Sequence, residues 1–140
     1  MTQVPNMETA HAVRQDADRP LLEVRHLTKR FPVGGLFRQK LVHALEDVSF
    51  DIYRGEVVAL VGEAGSGKST TARLIARLIQ PTAGEIIFQG RDVLQSEPRG
   101  ASLHYRRQAQ MIFQDPLASL NPMMTVRQAI EDPLIIHNIG

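Results

Sequence analysis

The chain contains no cysteine among its 140 residues. That rules out a disulfide framework and a thiolate metal site. It has no excess charge of either sign: 16 basic residues face 15 acidic ones, a net charge of +1. So even a balance argues against a general binder of nucleic acid or of anionic membrane. No apolar run approaches the roughly 18 residues that a membrane-crossing helix needs. Met1 to Pro20 lacks the apolar centre of a secretory signal peptide, and it reads as a loose, disordered tail with little to bury. His26, His43, His104 and His137 are scattered without metal-ligand spacing and read as surface or satisfied residues. There is no internal repeat and no low-complexity tract. What remains is a chain suited to one domain, 43% hydrophobic, with enough apolar content for a core and an expected cytoplasmic location.

The most informative stretch is Gly62-Glu63-Ala64-Gly65-Ser66-Gly67-Lys68-Ser69, which fits G-x-x-x-x-G-K-[ST] at every fixed position. Before it runs Val57-Val58-Ala59-Leu60-Val61, an unbroken apolar stretch rich in β-branched residues, as in a strand buried on both faces. After it, Ser69 to Ile79 reads as a helix, stopped by Pro81 and Gly84. Ala72, Ile75, Ala76 and Ile79 recur at helical spacing and are expected to face a sheet. Arg73 and Arg77 share a solvated face.

Strand, glycine loop and helix together make an anion trap. Gly65 and Gly67 let backbone curl close to phosphate oxygens, and successive N–H groups point into one concavity beside a helix N-terminus. Lys68 is expected to reach the β- and γ-phosphates of a nucleoside triphosphate. The Ser69 hydroxyl is expected to ligate Mg²⁺, and Thr70 to touch the α-phosphate. The bland alternative, a glycine-rich turn with a surface lysine, does not account for the strand and helix on either side.

Elsewhere, Leu21 to Leu27 alternates, with Leu22, Val24 and His26 on one face and Leu21, Glu23, Arg25 and Leu27 on the other. Phe31-Pro32-Val33-Gly34-Gly35 is expected to break that strand, and Leu36 to Lys40 to form an exposed loop. Val42 to Tyr53 alternates again, with Val48, Phe50 and Ile52 pointing one way. Two half-buried antiparallel strands are thus expected before the parallel core. Glu85 to Phe88 reads as a short strand with its turn at Gln89-Gly90-Arg91-Asp92. Ser96 to His104 is loop-like, and Leu103 to Gln108 is a helical turn. Ala109 to Phe113 reads as another core strand, and Asp115 to Pro122 as a polar loop. Val126 to Glu131 reads as a short helix before Pro133.

Several of these segments together resemble the ATP-binding subunits of ABC transporters. They are Leu45-Glu46-Asp47-Val48-Ser49-Phe50, Arg54-Gly55-Glu56, Val61 to Thr70, and Pro81-Thr82-Ala83-Gly84-Glu85-Ile86. Phe113-Gln114-Asp115-Pro116-Leu117-Ala118-Ser119-Leu120-Asn121-Pro122 and the insert Phe31 to Val42 resemble the peptide-importer branch, which takes up oligopeptides, dipeptides and glutathione. The resemblance covers residues 21 to 140. It implies an α/β fold: a P-loop NTPase core with parallel strands plus an N-terminal antiparallel β subdomain.

It also implies ATP and Mg²⁺ as cofactors, held by Gly62, Glu63, Ala64, Gly65, Ser66, Gly67, Lys68, Ser69 and Thr70. Gln114 matches the family's Q-loop glutamine, which helps hold Mg²⁺ and the attacking water. Its amide offers an acceptor and donors without charge. On its position alone Gln114 is equally a polar residue ending a strand, and a rival reading makes Met111 to Asp115 a Walker B strand that Gln114 interrupts. Phe31 sits where the family stacks an aromatic ring on adenine. Without the family it is equally a core residue closing a strand, and Phe37 is a weaker candidate on the same loop. Ala64 stands where many relatives have Ser, at a variable position.

The expected partners are a second ATP-binding subunit, identical or related, and transmembrane permease subunits docking around Asp115 to Met124. Through the permease the chain would sit on the inner face of the membrane and serve an extracytoplasmic solute-binding protein. The stretch to Gly140 holds no Leu-Ser-Gly-Gly-Gln-type signature, Walker B Asp, catalytic Glu or switch His. The expectation is therefore the N-terminal half of an ABC-type nucleotide-binding domain, truncated before the signature and Walker B segments, that binds ATP and hydrolyses it weakly. The alternative is a non-hydrolysing nucleotide-binding fragment. A P-loop kinase would need a phosphoacceptor pocket, to which no segment points.

Overall fold

The computed structural model describes residues 8–11, 19–35, 40–115 and 120–139, the first of these as backbone. Phe37 and residues 116–119 of the expected docking loop lie outside the described residues. The chain divides into two units, Met1–Ala101 and Ser102–Gly140.

In the first unit, strand β2 (Leu22–Val33) lies between β3 (Lys40–Ile52) and β5 (Ala83–Phe88), and β5 is followed on its far side by β6 (Arg91–Asp92). Every pairing in this sheet is antiparallel. Apolar residues at alternate positions bury one face: Leu22, Val24, Phe50 and Ile86 are at most 8% exposed. The alternation changes parity at a bulge. Leu27 was expected opposite Leu22 and Val24, yet it is fully buried with them. The register slips between Val24 and Leu27 and again before Lys29, and an extra residue in a strand turns the following side chains to the other face. His26 and Asp47, both at positive φ, mark the slip, with His26 Nδ1 2.6 Å from Asp47 Oδ1. The Asp47 N–H donates to Thr28 Oγ1 at 3.1 Å. Gly84 of β5 crosses this bulge at φ +102, where a Cβ would lie 2.5 Å from the His26 carbonyl oxygen.

The expected break at Phe31 to Gly35 comes later. β2 runs on through Pro32, which pairs with Leu41. β5 pairs with β2 only as far as Thr28, so this stretch is a sheet edge, where proline's missing N–H is tolerated. The turn after β5 is tighter than the expected Gln89-Gly90-Arg91-Asp92: Gln89 and Gly90, both at positive φ, join the Phe88–Arg91 pair in a two-residue hairpin, and Arg91–Asp92 already form β6.

A second, two-stranded sheet pairs β4 (Val58–Val61) antiparallel with β1 (Glu8–His11). β1 falls within the segment expected to be a loose tail. β4 was expected to be buried on both faces, but Val57 and Val61 are 75% and 57% exposed. A strand is doubly buried only with neighbours and layers on both sides, and among the described residues β4 has β1 alone as ladder partner. No parallel ladder occurs among them.

Helix α1 (Lys68–Ile75) is shorter than the expected Ser69 to Ile79. Its buried residues are Thr71 and Leu74, and Arg77 just beyond is 5% exposed, so both the expected apolar face and the solvated arginine pair are corrected. α2 (Val93–Ser96) is capped by the Asp92 carboxylate, which accepts from the Leu94 N–H at 2.8 Å.

In the second unit, α3 (Leu103–Gln108) forms as expected, capped by Ser102. The strand expected over Ala109 to Phe113 does not form: Ile112 is 90% exposed and the segment has no ladder partner among the described residues. α4 (Val126–Ile136) runs past its expected end and through Pro133. Its start is a capping box, Thr125 with Gln128, and at its end the N–H of His137, the C-cap, donates to the Pro133 carbonyl at 3.1 Å.

Candidate functional site

The loop between β4 and α1 is built on two glycines in the left-handed region, Gly65 at φ +83 and Gly67 at φ +91. Gly65 has open space around it, so only its backbone conformation calls for glycine. Gly67 needs glycine twice over, because a Cβ there would lie 2.6 Å from the Ala44 carbonyl oxygen. That contact seats the loop on β3 beside Leu45, which is 1% exposed. Ser66 is buried, and its N–H donates to the Glu63 carbonyl at 3.2 Å. Gly62, Glu63, Ala64 and Gly65 are exposed.

Gly67 is the N-cap of α1, and no side chain caps the helix. The first-turn N–H donors are therefore left for a ligand or water. The Lys68 ammonium folds back over the loop, donating to the carbonyls of Gly62 at 2.7 Å and Glu63 at 2.6 Å and to Ser66 Oγ at 3.1 Å. These bonds use its three donors and hold its charge above the loop. Ser69 is exposed, and its hydroxyl has no hydrogen bond among the described residues. Thr70 is half-buried. Thr71, which the pattern does not include, is fully buried and donates from both its N–H (2.8 Å) and its Oγ1 (3.0 Å) to the Gly67 carbonyl. It locks the first turn in place. The signal for it was its place one turn before Leu74 on the same helix face.

Phe31 lies on β2, 36% exposed and paired with Val42. Val42 precedes Ala44, the residue that Gly67 packs against, by about 7 Å along the strand. Phe31 thus pairs with β3 two residues before the Gly67 contact. The Lys29 ammonium lies 4.8 Å from the Phe31 ring centroid and donates to the Gln80 carbonyl at 2.6 Å. Beside it, Arg30 donates to Glu46, and His43 Nδ1 lies 2.7 Å from the same carboxylate. Hydrogen bonds from Arg30, then from His43, hold the Glu46 carboxyl below its usual range. Further along, the Arg25 guanidinium is raised above its usual value chiefly by its bond to Asp51, and it also donates to Glu23 at 2.9 Å.

Gln114 belongs to the second unit. It is exposed, lies on neither helix nor strand, and makes no hydrogen bond among the described residues. Past it, Asn121 Oδ1 accepts from the Met123 N–H at 3.0 Å, closing a turn that leaves Met123 88% exposed. Among the described residues no cluster of His, Asp or Glu could hold a metal unaided. An exposed hydroxyl at the start of a helix, beside a glycine loop, suits a hard ion that keeps waters. No helix among them is long and apolar enough to cross a membrane.

The sequence pattern described as ABC transporter matches residues 45–138. Over 124 residues the chain is 50% identical to the glutathione import ATP-binding protein GsiA of Salmonella paratyphi A, covering 86% of this chain and 20% of that protein. It is 49% identical over 122 residues to the oligopeptide transport ATP-binding protein OppF of Bacillus subtilis, covering 86% of this chain and 38% of that one. The chain therefore spans well under half the length of these curated relatives. Among solved structures, the dimeric post-hydrolysis state of the ATP-binding cassette MJ0796 bound to ADP and Pi matches with a TM-score of 0.63 at 26% identity. The match covers 85% of this chain and 49% of that one.

Proposed function

Because the chain belongs to the ABC transporter family, we propose that it is the nucleotide-binding part of an ATP-binding subunit that energises a peptide or glutathione importer. The single observation that carries this reading is the seated loop: a left-handed Gly65 and Gly67, an uncapped α1 and one ammonium turned onto the loop. ATP would draw Lys68 from the Gly62 and Glu63 carbonyls to its β- and γ-phosphates. The N–H groups of Gly65 and of Gly67 to Thr70 would hold the phosphate oxygens. The Ser69 hydroxyl would hold Mg²⁺, which neutralises charge building on the phosphates. The free face of Phe31 would stack on adenine, with Lys29 on the other face.

Hydrolysis needs a base for the attacking water, and no motif in these 140 residues supplies one. We therefore assign nucleotide binding to this stretch, with turnover weak in this chain alone. A second ATP-binding subunit, permease subunits near Asp115 to Met124 and, indirectly, a solute-binding protein complete the proposed machine on the inner face of the membrane.

Calorimetric titration with Mg-ATP tests the reading. Lys68→Ala should weaken binding at least about tenfold, the loss of one charge-assisted hydrogen bond or more. Unchanged affinity would remove the loop as the nucleotide site. Phe31→Ala should weaken ATP but leave inorganic triphosphate unaffected; equal weakening of both would count against stacking.

A further inference from the structure

Arg77 is the buried cation that the nucleotide reading leaves unused. It is 5% exposed and follows the C-cap of α1, Ala76, in a left-handed conformation at φ +57. Glycine or asparagine usually takes that backbone, because a Cβ strains it. Burying a guanidinium also costs hydration and rotamer freedom. The side chain offsets these costs through bonds to a different element. Its Nη1 donates to the Val93 carbonyl and its Nη2 to the Glu97 carbonyl at 2.6 Å, while its buried Nε has no partner. The acceptors stand at the two ends of α2, whose turn is closed by the Glu97 N–H on the Val93 carbonyl at 3.2 Å.

We propose that Arg77 is a positioning residue for the phosphate site, pinning the helix that bears Lys68, Ser69 and Thr70 to α2. Within residues 68–77 the other side-chain hydrogen bonds, those of Lys68 and Thr71, stay inside the Gly62–Gly67 loop. The helix is about 12 Å long. Its start is seated on Ala44 through Gly67, and just beyond its far end Arg77 bonds to both ends of α2. Freed at that end, it can pivot on the Gly67 contact. A pivot would swing the first-turn N–H donors off a bound phosphate, where aim matters at the level of about 0.5 Å. The inference rests on the nucleotide reading above.

The test uses the full chain at a temperature where circular dichroism shows each variant folded, with Mg-ATP and inorganic triphosphate as probes. Arg77→Gly relieves the backbone but removes the pin, and should bind triphosphate about tenfold more weakly. Arg77→Lys, which can reach one carbonyl, should fall between it and wild type. In Arg77→Gly the amides of Gly67 to Thr70 should lose the exchange protection that triphosphate confers, while those of Val24 and Leu27 keep theirs. A folded Arg77→Gly with wild-type affinity would overturn the proposal. If neither variant folds, or if wild type binds no triphosphate, native-state hydrogen exchange of the wild-type chain decides. Amides of α1 and of 94–97 should open together with one denaturant dependence, and separate openings would overturn the pin. Absence of triphosphate binding by wild type would instead defeat the nucleotide reading.

Discussion

Leu27 on β2 and Ile130 on α4 are both aliphatic residues in regular elements, but Leu27 is fully buried and Ile130 is 62% exposed. The same contrast runs through their surroundings. The β2–β3–β5 sheet buries Leu22, Val24, Leu27, Leu45, Phe50 and Ile86, whereas α4 buries none of its residues. A helix meets its backbone hydrogen bonds within itself, so a capping box can define α4 even though none of its residues is buried. A strand must borrow its bonds from elsewhere. β2 takes them from β3 and from β5, far along the chain, and those partners bring the side chains that cover it. β4 shows the intermediate case: it pairs with β1 and stays half-exposed.

The largest effect should come from the covered region. Leu27→Ala should lower unfolding stability by about 2–5 kcal/mol, and Ile130→Ala should change it by less than about 0.5 kcal/mol. Equal losses by urea denaturation would erase the contrast. Gly84→Ala should follow at roughly 2–3 kcal/mol, because its Cβ would meet the His26 and Arg25 carbonyls at a positive φ; a variant as stable as wild type would show that the bulge can shift. Thr125→Ala should cost about 1 kcal/mol, confined to α4. Amide exchange should quicken in α4 and not in β2.

The smallest effect belongs to the exposed Arg30–Glu46–His43 cluster. The folded Glu46 carboxyl titrates below its ordinary value of 4.5, held there first by Arg30 and then by His43. Its contribution to stability is therefore present above that ordinary value and is lost as pH falls through the lowered one. Glu46→Gln should lower the urea midpoint slightly at pH 7 and leave it unchanged in strong acid. A difference that persisted in acid would place the effect elsewhere than in this charge.

The conformation of the glycine loop was legible because it is short-range. The glycines, Lys68 and Ser69 follow from one contiguous pattern, and the structure turns Gly65 and Gly67 into the left-handed region as that pattern requires. The antiparallel β2–β3 pair was legible from alternation. Leu27's face was not, because a bulge reverses parity without any local composition signal. Ala109 to Phe113 has the apolar run of a core strand, yet an apolar run carries no record of whether a ladder partner lies beside it. Pro32 and Pro133 are expected breaks in the sequence, yet Pro32 sits at a sheet edge and α4 continues through Pro133 to Ile136. Thr71 and Arg77 escaped the pattern because their roles lie in what they contact.

By itself, the order of residues determined the family and the glycine loop, since both depend on neighbours a few positions apart and on glycines that backbone geometry demands. Only the tertiary structure decided which strands are covered, that Gly67 rests on Ala44, and that Arg77 is bonded to Val93 and Glu97 instead of to water. The physical reason is range. Backbone conformation and helix bonding are settled within a turn of chain, while burial and a buried cation's partners depend on segments that meet only when the chain folds.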